Sequence, residues 1–216
     1  MNHTNIGRLK AFYYARYEKL LLYDYYTQGC ISSLHGIRGD DLVTRVKIAL
    51  GAARGIAHVH GQDQKLVLIN SSNIFLNDQN HAIVAFDAGL ANLVSPERLP
   101  RVLDSVYCAL EVKNAGRVSQ ASDVYCFGVV LLELFYGESS QDFSSLSELV
   151  DVACLRYGYE QALALVLQMA AGCVGTAVER RPTIFEVVKV LEEIECSSVQ
   201  SRLESLLENL LPMLSP

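Results

Sequence analysis

An α+β chain is predicted, with a pair of short strands leading into a body built largely of helices. Three observations predict it. Residues 7–26 alternate apolar and polar positions and are rich in aromatic and aliphatic side chains, around a short charged turn at 16–19, which is the pattern of a hairpin. Residues 42–60 place Leu42, Val46, Ile48, Ala49, Ala52, Ile56 and Val59 largely on one helical face, as a long amphipathic helix requires. From Ser122 onward the apolar spacing is helical in four further segments.

Taken in order, Gly7 to Tyr14 and Leu20 to Tyr26 form the hairpin, and Thr27-Gln28-Gly29 breaks it. Ile31 to His35 reads as a short helix, and Asp40 and Asp41 offer caps for the long helix that ends at His60. Strand character returns at 66–68, 74–76 and 82–86, separated by polar turns. Residues 90–117 read as one long loop, broken in its polar part by Pro96 and Pro100; loops of that length in compact domains usually serve a function. Helices follow at 122–136, about 144–155, about 159–174 and 183–194, the last started by Pro182-Thr183. After Cys196, the residues Val199, Leu203, Leu206, Leu207, Leu210 and Leu211 predict a separate amphipathic helix, packed on the domain or offered to a partner. No internal repeat is visible. The division expected is 1–26, 27–195 and 196–216.

Composition narrows the functions. The 216 residues are 50% hydrophobic and 19% charged, so most of the chain can bury a core. The net charge is −6 and the 18 basic residues are scattered, which argues against nucleic acid or an anionic membrane surface as partner. Six cysteines (Cys30, Cys108, Cys126, Cys154, Cys173, Cys196) show no CxxC pair and lie mostly in apolar segments. Buried free thiols in a reducing compartment are expected. The first residues lack the basic start and apolar run of a signal peptide. No helix reaches the roughly 20 apolar residues of a membrane span. A cytoplasmic chain is therefore expected.

Five blocks in order carry a resemblance: Leu21-Leu22-Tyr23-Asp24-Tyr25, Thr44 to Gly55, Ser71-Ser72-Asn73-Ile74, Ser122 to Gly137, and Arg181-Pro182-Thr183. Over roughly residues 3–194 the chain resembles the plant receptor-like kinases, in particular the leucine-rich-repeat receptor kinases, whose kinase domains are often catalytically defective. The resemblance implies a protein-kinase-like fold, mostly the helical C-lobe with a remnant of the N-lobe sheet. It implies that Tyr23 guards the back of a vestigial nucleotide pocket, that Asp24 to Tyr26 form the hinge, and that Phe75 also lines the pocket. It implies that Asn73 and Asp87, the latter in Phe86-Asp87-Ala88-Gly89, descend from a Mg²⁺ site. Ala109-Leu110-Glu111 stands where Ala-Pro-Glu is expected; Glu111 would pair with Arg181, and Asp123 would accept hydrogen bonds from catalytic-loop amides.

Plainer readings stand beside these. Asn73 and Asp87 are residues that turns favour, and Asp123 suits a helix N-terminus. The Glu111–Arg181 pair is scaffold under either reading. His58 and His60, two residues apart on a helix, do not share a face and so make no metal site. Gly51 and Gly55 suggest close helix packing, not a phosphate loop.

The catalytic parts are missing from the pattern. Phosphoryl transfer needs a Gly-rich roof over the phosphates, a strand Lys, a helix Glu to orient it, and an Asp beside the acceptor hydroxyl. Residues 1–20 contain none of the first three. The proton-accepting Asp belongs five residues before Asn73, where Leu68 stands, so no catalytic residue is assigned. The catalytic loop is about two residues short for the family, and 137–157 is also shortened. Loss of the base and the phosphate clamp removes several powers of ten in rate. The expectation is a pseudokinase serving as an interaction module with other proteins, receptor kinases among them. No cofactor is expected, and Mg-ATP only if nucleotide binding is retained. Two alternatives stand: an ATP-dependent Ser/Thr kinase, if this chain is part of a longer product, and a degenerate gene fragment. By kinship the intact proteins sit at the plasma membrane with this domain in the cytosol.

Overall fold

The computed structural model describes residues 3–15, 18–33, 42–62, 69–85, 105–136 and 160–210. The caps expected at Asp40 and Asp41, the strand at 66–68 and the helix near 144–155 lie outside these residues, as do Leu68, Phe86, Asp87 and Ala88.

Strands β1 (Ala11–Tyr14) and β2 (Lys19–Leu22) form the predicted antiparallel hairpin, with Phe12 opposite Leu21 and Tyr13 opposite Leu20. Ile31–Ser33 is a single 3₁₀ turn. Helix α1 (Leu42–His60) follows, then a second antiparallel pair, β3 (Ile74–Leu76) and β4 (Ala82–Val84). The turn joining them is held by Asn77, whose Oδ1 accepts from the amides of Gln79 and His81 at 3.0 and 2.9 Å.

Helix α1 is the axis of the molecule. Val46, Ile48, Ala52, Ala53, Ile56 and Val59 are fully buried, and the helix packs against β4 and against the later helices Gln120–Tyr136 and Ile184–Leu210. Its two glycines mark the closest approach, though against extended chain and not against another helix. A Cβ on Gly55 would lie 2.6 Å from the carbonyl oxygen of Asn5, and one on Gly51 would lie 3.3 Å from Ala82 Cβ. The segment His3–Gly7 therefore runs in the groove between α1 and β4. Asn5 O accepts from Val84 N at 2.9 Å, Gly7 N donates to Val84 O at 2.8 Å, and Asn5 Nδ2 donates to Ala82 O at 2.8 Å. His3 stacks on His58 of α1, with ring centroids 4.7 Å apart. Burial, followed by the neighbouring His58 and Arg54, lowers the pKa of His3.

The segment read as one long loop contains ordered structure at its end. Ser105–Tyr107 is a 3₁₀ turn and Leu110–Ala115 is helix α2. Six residues are too few for helical periodicity to show. The local signal was Gly116, which takes the left-handed conformation (φ 61°) that glycine tolerates and closes the helix by donating to Val112 O.

Helix α3 (Gln120–Tyr136) is the second buried axis. It starts two residues before the predicted Ser122, because Ser119 caps it. Ser119 Oγ accepts from Ser122 N at 3.3 Å, and Ser119 N in turn donates to Ser122 Oγ at 3.0 Å. Phe127, Val129, Val130, Leu131 and Phe135 are all buried, and α3 packs on α4 (Glu160–Cys173).

Helix α5 (Ile184–Leu210) opens on a capping box. Thr183 N donates to Glu186 Oε2 at 2.7 Å while Glu186 N donates to Thr183 Oγ1 at 3.3 Å. These hydrogen bonds lower the Glu186 pKa. The helix does not stop near 194 but continues to Leu210. Residues 195–199 contain no glycine or proline, and Ser197 satisfies its side chain on Glu193 O within the helix at 2.9 Å. The segment after Cys196 thus extends α5 and does not form a helix of its own. Among the described residues, no helix is long and apolar enough to cross a membrane.

The five described cysteines are free. Cys108, Cys126 and Cys173 are buried, and burial raises the pKa of each. Cys30 is partly exposed and Cys196 exposed.

Candidate functional site

The residues expected to form the hinge, Asp24 to Tyr26, lie between β2 and the turn at Gly29. Tyr26 stacks on Phe75 of β3, with ring centroids 5.5 Å apart, so the structure brings together two of the residues assigned to the pocket. The contact is fixed by backbone pairing nearby: Cys30 bridges to Phe75, and Leu76 N donates to Gly29 O at 2.9 Å. Burial, then the neighbouring Asp24 charge, raises the Tyr26 pKa. Asp24 itself pairs with Lys10 at 3.0 Å, both about half exposed. Tyr23 is partly buried and lies near Gly7, where a Cβ would meet its Cδ1 at 3.4 Å. Tyr25 points to solvent, 88% exposed.

Asn73 ends the 3₁₀ turn Ser71–Asn73, which Asn70 caps by accepting from Asn73 N at 3.0 Å. Its carbonyl accepts from Ala85 N at 2.9 Å. The backbone of Asn73 is thus held beside Ala85, two residues before Asp87 in the chain. Asp87 lies outside the described residues, as does Leu68. Among the described residues, no group of three or more His, Cys, Asp or Glu could hold a metal ion.

Around this region the scaffold is tightly made. Arg181 Nη1 and Nη2 donate to the two oxygens of Glu111 at 2.5 and 3.0 Å. The same guanidinium donates to Gly175 O at 2.8 Å and Ala121 O at 3.1 Å, and lies over the Tyr125 ring at 5.2 Å. One side chain therefore ties α2, the start of α3 and the turn after α4 together. Burial alone would raise the Glu111 pKa. The hydrogen bond from Arg181 and the residue's own backbone amide outweigh it, and the net shift is downward.

Asp123, in the first turn of α3, binds His60 at the end of α1: Nε2 to Oδ2 is 2.9 Å, with the side chains 1% and 2% exposed. Gln120 Nε2 donates to His60 O at 3.0 Å. Sequence reasoning placed His60 only at a helix end. Its partner is 63 residues away, and no local pattern announces such a bond. Tyr107 was also missed. Its hydroxyl accepts from Ser71 N at 3.2 Å and donates to Ser71 Oγ at 3.1 Å, which ties residues 105–107 to the 3₁₀ turn Ser71–Asn73. Burial, then a hydrogen bond with Glu133, raises the Tyr107 pKa.

Residues 1–191 match the family model described as protein tyrosine and serine/threonine kinase. Among similar proteins of Arabidopsis thaliana, the probable inactive receptor kinase At4g23740 is 39% identical over 90% of this chain and 35% of its own length. The leucine-rich repeat receptor-like protein kinase PXC1 is 35% identical over 90% of this chain and 35% of its own length. The probable inactive receptor kinase RLK902 is 35% identical over 91% and 35%. The chain thus spans about a third of the length of these relatives.

Proposed function

Because this chain belongs to the protein tyrosine and serine/threonine kinase family, with plant receptor-like kinases as its relatives, we propose that it is a pseudokinase. It keeps the kinase scaffold for contact with other proteins, receptor kinases among them, and transfers no phosphate. The observation that carries this reading is the contrast within one molecule. Glu111–Arg181 and His60–Asp123 are fully formed, while the position five residues before Asn73 is Leu68. Such pairs hold a lobe in shape and do nothing for chemistry. An apolar side chain cannot receive the acceptor proton, and no amount of positioning replaces it.

The names of several relatives include the word inactive, which fits the same reading. The Tyr26–Phe75 stack closes aromatic surface on itself in the region where an adenine ring would need it. Asn73 and Asp87 are read as the remnant of a Mg²⁺ site.

The test is thermal unfolding of the purified chain with and without millimolar ATP and Mg²⁺. No change in midpoint is expected. Saturating ligand at a hundred times its Kd adds about 2.7 kcal/mol, so a concentration-dependent rise of several degrees would overturn the loss of nucleotide binding. A second reading, an ATP-dependent Ser/Thr kinase completed by further chain, draws on the retained Asn73 and Asp87. It requires a rise that Asp87→Asn removes.

A further inference from the structure

His3 is a titratable group that the proposed function leaves unused, and it sits where the extended segment His3–Gly7 is fastened to the helical body. We propose that the stacked pair His3–His58 is a pH-sensitive latch, in which protonation of His3 releases that segment from α1 and β4.

The neutral ring is built into the fastening. The backbone amide of Asn5 donates to His3 Nδ1 at 3.1 Å. A backbone N–H can only donate, so Nδ1 carries no hydrogen while the segment is docked. A proton placed there turns the acceptor into a donor facing a donor. The same short turn is closed by Ile6 N, which donates to His3 O at 3.1 Å. Losing the Asn5 bond therefore disturbs the residues that carry the docking contacts.

The stack makes the same demand. His3 lies on His58 with ring centroids 4.7 Å apart and planes inclined by 23°. Gln62 Nε2 donates to His58 Nε2 at 3.2 Å and steadies that ring. Arg54 stands one turn before His58 on the same face of α1. A charge on His3 would therefore arrive beside a guanidinium. The titratable and charged groups that act on His3 are His58 and Arg54 of α1. Behind them Glu192 of α5 is engaged by Arg54 at 2.8 Å. Strand β4 presents Ala82, Ile83 and Val84, and the segment itself Thr4, Asn5 and Ile6, none of which titrates.

What the latch holds is an added strand. Ile6 pairs with Val84 in parallel register, through the bonds Val84 N to Asn5 O at 2.9 Å and Gly7 N to Val84 O at 2.8 Å. Gly55 makes the approach possible, since a Cβ there would stand 2.6 Å from Asn5 O. The apolar anchor among residues 3–7 is Ile6, itself only partly buried. The segment thus depends on its hydrogen bonds and its stack, and such a segment opens before the core does.

Docking weakens toward acid. Burial, then His58 and Arg54, hold the docked His3 below its ordinary 6.5, so the released segment binds the proton first. The contribution of His3 is complete above 6.5 and is lost as pH falls from there through the lowered value.

The test is amide hydrogen exchange on the full chain between about pH 7.5 and about pH 5, read by NMR and corrected for the intrinsic exchange rate. Below 6.5 the Val84 amide is expected to lose protection by up to about tenfold per pH unit, while that of Val130 in α3 stays level. The variant His3→Asn keeps an acceptor for the Asn5 amide and removes the titration, so its Val84 protection should be level across the range. The His3 ring protons are expected to titrate below 6.5 in the wild type and closer to it in His58→Gln. Val84 protection that ignores pH in the wild type overturns the proposal, as does a pH dependence that survives His3→Asn. A His3 midpoint at or above 6.5 also overturns it. A loss shared by Val130 marks global acid unfolding and overturns it as well.

Discussion

Replacing Arg181 with methionine is expected to cost about 3–5 kcal/mol of stability, read as a lower urea midpoint at unchanged slope. The side chain is 1% exposed and holds both oxygens of Glu111, two backbone carbonyls and the Tyr125 ring. Removing it leaves Glu111, itself only 14% exposed, as a charge in a site that water barely reaches. The loss comes mainly from that stranded carboxylate. The double variant Arg181→Met/Glu111→Leu should therefore recover much of the deficit, because replacing both members of a buried pair with apolar groups is often close to neutral. The pH dependence carries the same signature. Glu111 has a pKa below its ordinary 4.5 in the folded chain, so the unfolded state binds the proton first. Its contribution is present above that value and is lost as pH falls through the lowered one. Arg181→Met should flatten that part of the acid-unfolding curve. A variant as stable as the wild type would show that the pair is ornamental.

Gly128→Ala is expected to destabilise by about 2 kcal/mol, although alanine is the better helix former. A Cβ at Gly128 would lie 2.6 Å from Cys173 Cβ and 3.2 Å from Val174 N. Neither atom is the end of a flexible side chain, so α3 and α4 must separate. Overpacking of that kind costs about 1–3 kcal/mol, more than the gain of up to about 1 kcal/mol in propensity can offset. Gly172→Ala, on the facing helix α4, supplies the contrast. Its nearest neighbour would be Pro182 Cδ at 3.9 Å, and the same exchange should stabilise by up to about 1 kcal/mol. Thermal unfolding of the two variants should move in opposite directions. Movement of both upward would mean that α3 and α4 are not packed as described.

The hairpin, α1 and α3 could be read from the chain because each carries a local pattern that the sequence displays. Phe12, Tyr13, Leu20 and Leu21 belong to two short aromatic and aliphatic runs on either side of a charged turn, as a hairpin requires; Val46, Ala49, Ile56 and Val59 recur at helical spacing. Helix α2 could not, since six residues show no period. The continuation of α5 past Cys196 is hidden in the sequence because the apolar pattern changes there, although only glycine or proline would enforce a break. In the site, Glu111 and Arg181 were legible as a pair through family resemblance, not through spacing. His60–Asp123 and Tyr107–Ser71 join residues 63 and 36 positions apart, and such bonds are decided by how helices pack. Gly51 and Gly55 announced close packing correctly but not its partner, the extended segment at Asn5. The Tyr26–Phe75 contact follows from the backbone bridge at Cys30, which no linear pattern contains.

The most direct test is transfer of the γ-phosphoryl group from ATP with Mg²⁺, to the purified chain itself and to a generic protein acceptor, beside the Asp87→Asn variant as control for contaminating activity. On the proposal that Leu68 occupies the place of the proton-accepting carboxylate, no incorporation above the control is expected. Phosphate incorporation that the wild type shows and Asp87→Asn abolishes would mean that this scaffold still catalyses phosphoryl transfer.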